Sequence, residues 1–323
     1  MINRKPKIAF YWCAGCGGCE ESVIDMAEEL LSVAEKADIV FWPIALDARF
    51  EDVEALNDGD IDATFINGAI RLDDHVRFVQ LLRRKSKRII VHGTCAHLGG
   101  IIGLANLFDS RQLLECACRQ VPGMDDPSAP LPETAPGDGQ EGPALAALLP
   151  AVKPLDRVVA VDAFIPGCPP PPETMAQAIT DVIQGRLPEP GTVFAHRTAL
   201  CRQCPRLDSK PDKIEITRFR RLYETHWDPE VCFLPQGLLC MGPVTRGGCD
   251  ARCIRANMPC RGCFGPTERM NDFGTGAMAL IASMMAGEDE ATLARLVGSI
   301  ADPTGLIYRY SLAASILGQG PDR

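Results

Sequence analysis

The sequence predicts an α/β protein with a flavodoxin-like parallel sheet domain in residues 1–185 and an irregular, cysteine-rich domain with a few helices in residues 186–323. In the first part, short apolar stretches alternate with stretches of helical periodicity, which is typical of a parallel sheet covered by helices on both faces. After residue 185 this alternation stops, and eight cysteines follow between residues 201 and 263, among glycines and prolines. We therefore expect two domains of different character.

The elements of the first domain follow from these patterns. The candidate strands are Lys7–Trp12, Ile39–Pro43, Ala63–Asn67, Arg88–His92 and Val158–Phe164, and the candidate helices are Glu20–Lys36, Asp73–Arg84 and Pro172–Gln184. Residues 121–150 are rich in Pro, Gly, Asp and Glu. Such a composition favours a solvated loop insertion or a subunit-contacting loop over a core element.

Composition and charge exclude several classes of protein. Hydrophobic residues make up 46% of the chain and charged residues 23%, which is ordinary for a globular protein. The 33 Lys and Arg against 42 Asp and Glu give a net charge of −9, which argues against a nucleic-acid partner. No apolar run is long enough for a membrane span, and the first residues lead into a strand without a signal or twin-arginine leader. We expect a cytoplasmic protein.

The cysteine content points to metal or cluster ligation. Fifteen cysteines are too sparse for a disulfide scaffold, their number is odd, and a cytosolic chain keeps its thiols reduced. Cys16 and Cys19 lie on a glycine-rich turn between a strand and a helix, where the backbone and the free N–H groups favour a bulky anionic group. Taken alone, this pair also fits a redox dithiol or a zinc site.

Two further turns carry single cysteines after candidate strands, Cys95 and Cys168. Open parallel sheets bind ligands at the carboxyl edge of their strands, so all three turns are expected to meet there. Cys16, Cys19, Cys95 and Cys168 could then form one four-thiolate site. Cys13 lies one Cys-x2-Cys step before Cys16 and could in principle replace Cys19.

The three turns together resemble the small subunits of nickel-iron hydrogenases. The matching motifs are Cys-x-Gly-Cys-x-Glu at Cys16–Glu21, Gly-Thr-Cys-Ala-x-x-Gly-Gly at Gly93–Gly100 and Gly-Cys-Pro-Pro at Gly167–Pro170. The resemblance implies that the four cysteines of these turns hold the proximal [4Fe-4S] cluster, beside a nickel-iron centre in a separate large subunit. It also implies that Glu21 corresponds to an acidic residue near the proton exit path, as a possible proton relay. A charge that interacts well with the helix dipole explains Glu21 equally well.

The second domain extends the resemblance. Its eight cysteines suffice for two four-iron clusters, and Cys240–Pro243 and Cys260–Cys263 match two motifs of the family. The resemblance assigns Cys201, Cys204, Cys232 and Cys240 to a distal cluster, and Cys249, Cys253, Cys260 and Cys263 to a medial one. Cys201 stands where periplasmic members use a histidine, and Cys253 supplies a fourth ligand where they hold a three-iron cluster. Both departures resemble the cytoplasmic, methyl-viologen-reducing type.

The resemblance implies an electron-transfer small subunit with three [4Fe-4S] clusters. Its partners would be the hydrogenase large subunit, a small iron-sulfur electron-transfer subunit and heterodisulfide reductase. No nickel-ligand motif is visible, so we expect no hydrogen activation by this chain alone. The leftover Cys13, Cys116 and Cys118 are interpreted as structural thiols.

Three alternatives remain open at the level of sequence. The partner large subunit could lack nickel, which would leave the chain a plain electron conduit. The chain could be a homologue of the quinone-reducing respiratory-complex subunit, although that family uses adjacent cysteines at the first turn and lacks an eight-cysteine second domain. The thiols could also hold zinc in an assembly protein.

Overall fold

The computed structural model describes residues 4–124, 126, 128, 130–132 and 145–318. The chain forms two compact units, one from Met1–Val193 together with Leu312–Arg323 and the other from Phe194–Ser311. The chain thus leaves the first unit after Val193 and returns to it at Leu312. Half of the predicted insertion at residues 121–150 lies outside the described residues, and its last three residues belong to a strand, Leu148–Lys153. In the part that is described, no helix is both long and apolar enough to cross a membrane.

The first unit is built on a parallel sheet, which confirms the predicted α/β fold. The strands are β1 (Lys7–Trp12), β2 (Asp38–Phe41), β3 (Ile61–Asn67), β4 (Ile70–Leu72), β5 (Ser86–His92), β6 (Leu148–Lys153), β7 (Ala163–Ile165) and β8 (Thr192–Val193). Six of them pair in the order β2-β1-β3-β5-β7-β8, all parallel. This order is that of flavodoxin-like sheets with one strand added at the edge.

Helices flank this sheet, and four more lie in the second unit. They are α1 (Gly18–Ile24), α2 (Glu28–Lys36), α3 (Phe50–Glu54), α4 (Asp73–Lys85), α5 (Thr94–Leu98), α6 (Ser110–Glu115), α7 (Pro172–Ile183), α8 (Arg252–Arg255), α9 (Phe273–Met284), α10 (Glu290–Gly298) and α11 (Pro303–Ile307). Otherwise the second unit consists mainly of loops and short 3-10 turns, from Leu200–Gln203 onward. This irregular character agrees with the prediction.

Apolar side chains on both faces of the central strands form the core of the first unit. Phe10 is fully buried, and its ring lies 4.6 Å from that of Trp42 and 5.2 Å from that of Phe65. On the other face, Ile66 and Val91 pack in one apolar cluster. Because β3 and β5 are covered on both faces, most of their side chains are buried. The core holds the strand ends, and therefore the cysteine turns, in fixed positions.

Two predicted elements differ from the structure by more than two residues. The predicted strand Val158–Phe164 is wrong in its first five residues, because β7 begins only at Ala163. The segment before it is held by a side chain: Asp162 Oδ2 accepts from Ile89 N at 2.8 Å and pairs with Arg83 at 2.6 Å. The single predicted helix Glu20–Lys36 is divided into α1 and α2, since Ala27 adopts a φ of +50° and interrupts the helical backbone.

A small antiparallel pair and the returning chain complete the first unit. Strands β4 and β6 pair with each other, and Asn106 connects β6 to the last described residues. The Asn106 side chain donates to Val152 O at 2.9 Å and to Gly318 O at 2.7 Å, and accepts from Val152 N at 2.7 Å. Gly103 leaves room for this return, because a Cβ there would lie 3.1 Å from Ala313 Cβ. The end of the described chain is therefore part of this unit's packing.

Candidate functional site

The first candidate site lies at the carboxyl edge of the parallel sheet. Cys16 and Cys19 lie at the β1–α1 turn, Cys95 lies in α5 directly after β5, and Cys168 follows β7. Strand β3 alone separates β1 from β5, and β7 is the next neighbour. Parallel strands bring their carboxyl ends to one edge, so the fold brings the four cysteines of the predicted proximal set together.

Hydrogen bonds between the turns fix this arrangement. Thr94 N and Thr94 Oγ1 both donate to Gly167 O, at 2.8 and 2.7 Å. Ser22 Oγ in α1 donates to Pro170 O at 2.7 Å, next to the Cys168 turn. Each bond joins a turn that carries a cysteine to another such turn. The thiols are therefore held by a shared backbone framework.

The thiols of this set lie close enough to influence one another. Burial raises the pKa of the Cys19 thiol, and the nearby sulfurs of Cys95, Cys168 and Cys16 raise it further. Burial likewise raises the pKa of Cys95 to about 12, and Cys168 and Cys16 add to the shift. Four anionic sulfurs cannot share this site without compensating positive charge. Iron supplies such charge, so the donor set suits a metal cluster.

Glycines leave space around these sulfurs. A Cβ on Gly93 would overlap Cys19 Sγ, and a Cβ on Gly100 would overlap Cys95 Sγ. Both glycines have positive φ, at +86° and +63°. At these two positions the backbone thus forms cradles that only glycine leaves open, as expected where a bulky group approaches closely.

The predicted distal cysteines also converge. Burial raises the pKa of Cys240 to about 12, and Cys201 and Cys232 raise it further. The pKa of Cys201 is raised to about 11, mainly by burial. Lys210 opposes this shift, whereas Cys204 and Cys232 add to it. Cys232 is held by its N–H, which donates to Ser209 Oγ at 2.8 Å. All four residues of the predicted set are therefore neighbours.

The predicted medial cysteines lie in two pairs. Burial raises the pKa of Cys249, and the Cys253 thiol adds to the shift. The pKa of Cys260 is raised well above its ordinary value by burial, then by Cys240 and Cys263. Cys260 thus lies beside a cysteine of the predicted distal set as well as beside Cys263. The assignment of individual cysteines to medial and distal clusters stays a prediction.

A buried arginine provides an independent indication of an anionic group in the second unit. Arg206 is only 4% exposed, and its guanidinium lies 4.0 Å from the ring centroid of Phe233. Its Nη2 donates to Asn257 Oδ1 at 2.7 Å, whereas the buried Nη1 has no partner in the described part of the chain. Burial raises the pKa of Cys232, and the charge of Arg206 is among the contributions that oppose this shift. A buried cation needs an anion nearby, and a thiolate-ligated cluster would be one.

No group of three or more His, Cys, Asp or Glu side chains lies close enough together to hold a single metal ion, as far as residues 4–124, 126, 128, 130–132 and 145–318 are concerned. In a four-iron cluster each thiolate binds a different iron, so the sulfurs are more widely spaced than around one ion. Grouped but separated thiols are compatible with that geometry.

The remaining predicted residues are found in different settings. Glu21 is exposed on α1, and its role as a proton relay stays a prediction. Cys13 is buried in the apolar core with Ile66. Cys116 is exposed and Cys118 is partly buried. The packing of Cys13 in the core favours Cys19 as the partner of Cys16.

A buried polar network behind the first site was missed from the sequence. Glu20, next to Cys19, is 2% exposed, and its carboxylate accepts from Trp42 Nε1 at 2.6 Å and from Asn67 Nδ2. Asn67 Nδ2 also lies 3.4 Å from Nε2 of the fully buried His92. Burial raises the pKa of Glu20, which the two donors oppose. One signal of the burial of Glu20 was available in the sequence. Glu20 and Val23 are three residues apart, so they lie on the same face of a helix, and Val23 is apolar.

Comparison with known proteins agrees with this geometry. The family described as NADH ubiquinone oxidoreductase, 20 Kd subunit, matches residues 16–182. The iron-sulfur subunit of the F420-non-reducing hydrogenase of Archaeoglobus profundus is 36% identical over 97% of this chain and 98% of its own. The corresponding F420-non-reducing hydrogenase subunit of Methanothermobacter thermautotrophicus is 34% identical over 98% of this chain and 97% of its own.

Among solved structures, the [NiFeSe] hydrogenase of Desulfovibrio vulgaris Hildenborough has a similar fold. It aligns with a TM-score of 0.51 and 17% identity, over 82% of this chain and 95% of that chain. The hydrogenase relatives match nearly the whole sequence, including the cysteine-rich second unit, whereas the respiratory-complex family matches the α/β part. The chain therefore belongs to the family of small subunits of F420-non-reducing, nickel-iron-type hydrogenases.

Proposed function

We propose that this chain is the electron-transfer small subunit of a nickel-iron hydrogenase complex and holds three [4Fe-4S] clusters. Its iron ligands would be the proximal set Cys16, Cys19, Cys95 and Cys168, the distal set Cys201, Cys204, Cys232 and Cys240, and the medial set Cys249, Cys253, Cys260 and Cys263. The observation that carries the proposal is the convergence of mutually interacting thiols in the first two sets, whose members range from the buried Cys240 to the exposed Cys16 and Cys168. When bound, each cluster would accept and release one electron at a time.

The chain's own residues would hold and tune these groups. The β1–α1 turn presents Cys16 and Cys19, and the bonds of Thr94 to Gly167 O keep the other two turns in register. Glycine cradles give the sulfurs room. In the second unit, the charge of Arg206 offsets negative charge next to Cys232. Hydrogen bonds and charges around the sulfurs are the features by which a protein sets a cluster's potential.

The expected partners follow from the family. A hydrogenase large subunit would carry the nickel-iron centre and split hydrogen, and this chain would accept the electrons. A small iron-sulfur subunit and heterodisulfide reductase would receive them, in the cytoplasm. Purified alone, the chain is expected to bind iron without oxidising hydrogen. Hydrogen oxidation by the isolated chain would overturn this division of labour.

The experiment that tests the proposal is iron, sulfide and nickel analysis of the anaerobically purified complex, together with electron paramagnetic resonance. About twelve irons and twelve sulfides per chain, with nickel in the large subunit, are expected. Cys116→Ala serves as a control, because this exposed thiol belongs to none of the three sets. Zinc in place of iron would end the proposal.

A second candidate is favoured by the match of residues 16–182 to the respiratory-complex family. In that case the chain would conduct electrons in a complex whose large subunit lacks nickel, or in a quinone-reducing one. About twelve irons per chain without nickel in the partner would favour this candidate. Nickel in the partner, with hydrogen-dependent reduction of the clusters, would exclude it.

A further inference from the structure

The second unit contains a pocket to which the proposed electron relay assigns no role, although one of its lining residues, Arg261, directly follows the predicted ligand Cys260. Its volume is about 290 Å³, and four arginines line it: Arg220, Arg221, Arg261 and Arg309. Asp302 supplies the only carboxylate among the lining residues in the described part of the chain. Its Oδ1 accepts from Gly305 N at 3.0 Å at the start of α11, so this carboxylate is already engaged. The pocket therefore carries a clear excess of positive charge.

The arginines have few partners of their own. Nε of Arg309 is buried and makes no hydrogen bond within residues 145–318. Arg220 Nη1 donates to the neutral Thr225 Oγ1 at 3.1 Å. Ion pairs with carboxylates are found for other arginines of this unit, such as Arg255 with Asp250 at 3.1 Å, but for none of the four around the pocket among the described residues. Like charges this close repel one another unless an anion lies between them.

The pocket is preformed by hydrogen bonds that backbone N–H groups donate to a backbone and a side-chain acceptor. Arg220 N donates to Gly237 O at 2.9 Å, and Phe219 N donates to Ser299 Oγ at 3.1 Å. Gly237 has a φ of +78°, and a Cβ there would lie 2.6 Å from Arg218 O, so the two segments can approach only at a glycine. Three separate stretches of chain are thus joined around the same space. A rigid pocket binds with a smaller entropic cost than one that must form on binding.

The rim identifies the kind of ligand that fits. Tyr223 is 80% exposed and Met258 is 47% exposed, and both line the pocket together with buried leucines such as Leu238. Exposed tyrosine and methionine beside arginine are typical of the centre of protein interfaces. A small free anion would use the guanidinium groups but leave these apolar surfaces bare. An acidic peptide segment with an apolar side chain would use both.

We propose that this arginine pocket docks an acidic segment of another subunit of the same complex. The chain as a whole carries a net charge of −9, so a basic pocket on it selects for the partner's acidic segment by charge complementarity. The inference rests on the proposed function in one respect: it requires that the chain is part of a complex with other subunits. It concerns how the complex is held together, and it is independent of how many clusters the chain carries.

The test uses the purified complex and two matched double variants. Arg220→Glu with Arg221→Glu reverses two exposed charges at the pocket, and Arg269→Glu with Arg295→Glu reverses two exposed charges outside it. Dissociation constants of the subunits are measured by mass photometry on dilution, at low and high salt. The pocket variant is expected to weaken subunit binding about tenfold or more at low salt, with a smaller dependence on salt. The control is expected to change affinity less than about twofold.

Further readouts separate the possible outcomes. A photo-crosslinking residue at Tyr223 is expected to label an acidic segment of a partner subunit. Equal affinities for the two variants, or a crosslink only within this chain, would overturn the inference. Micromolar binding of inorganic phosphate to the wild-type complex, lost in the pocket variant while the subunit affinities stay equal, would assign the pocket to a small anion. Iron content is measured in both variants, so that a failure of cluster loading is recognised as a failure of the proposed function.

Discussion

Replacing Gly93 by alanine is the sharpest test of the proximal site. The new Cβ would overlap Cys19 Sγ, and non-bonded carbon atoms approach to only about 3.5 Å without repulsion. The sulfur would therefore have to move by roughly 1 Å, about twice the displacement of about 0.5 Å that a functional site tolerates. The backbone has little freedom to retreat, because Gly93 N donates to Ile165 O at 2.9 Å.

The expected result depends on whether Cys19 is an iron ligand. In the iron-free chain its side chain can rotate away, so the variant should lose little stability beyond the backbone strain of alanine at φ +86° and ψ 150°, a conformation essentially restricted to glycine that costs about 1–3 kcal/mol. In the loaded chain rotation removes a ligand, so about four of the twelve irons should be lost, together with the proximal paramagnetic signal.

Gly59→Ala is a matched control for this experiment. Gly59 has a φ of +72°, close to the +86° of Gly93, but a Cβ there would meet nothing within 4 Å. It introduces alanine at a positive φ without the contact, and it should keep all of its iron. Iron analysis, paramagnetic resonance and thermal unfolding of both variants give the comparison. If Gly93→Ala keeps its full iron content and an unchanged signal, the assignment of Cys19 is refuted.

Three further predictions concern the medial ligands, pH and the core. Cys253→Ala should lower the iron content by about one per chain if the three remaining cysteines keep a three-iron cluster, and by about four if the medial cluster is lost, whereas Cys116→Ala should keep it. Equal iron content in the two variants would remove Cys253 from the ligand set. Burial lowers the pKa of His92 to about 3, so this residue stabilises the fold above its unfolded pKa of about 6.5 and the contribution is lost as pH falls below it. The test is urea titration of the wild type and of His92→Gln at several pH values. Below about pH 6.5, the difference between their unfolding free energies should change by about 1.4 kcal/mol per pH unit, to the disadvantage of the wild type. A difference that does not depend on pH would contradict this. Phe10→Ala should cost about 3–5 kcal/mol of unfolding free energy because its ring is fully buried, whereas the half-exposed Ile24→Ala should cost less than about 1 kcal/mol.

Local patterns were sufficient to predict the sheet and the cysteine turns. Strand β1 was predicted to the residue, because its apolar run ends abruptly at the glycine-rich turn. The helix Pro172–Gln184 ends within one residue of α7, since Pro at its start and Gly185 after it mark both boundaries. Such elements can be predicted because the residues that form them also determine where they begin and end.

Elements that depend on distant partners could not be predicted in this way. The pairing of β4 with β6 joins Ile70 to Lys153, across a segment that includes the predicted insertion, and no local signal marks it. The break before α2 contains neither Gly nor Pro. Glu21 was singled out by its match to a family motif, whereas the buried acid is Glu20. Burial of Glu20 depends on Trp42 and Asn67 on other strands and loops, which sequence periodicity does not reveal.

The return of the chain to the first unit has a consequence for biosynthesis. The bond from Asn106 to Gly318 O spans 212 residues, so it cannot form on the ribosome until the entire second unit has been translated. Contacts of such long sequence separation form slowly. Until then, the first unit lacks one of the segments that pack on its β6 side. The cysteine-rich unit is therefore fully translated before the sheet domain can complete its packing.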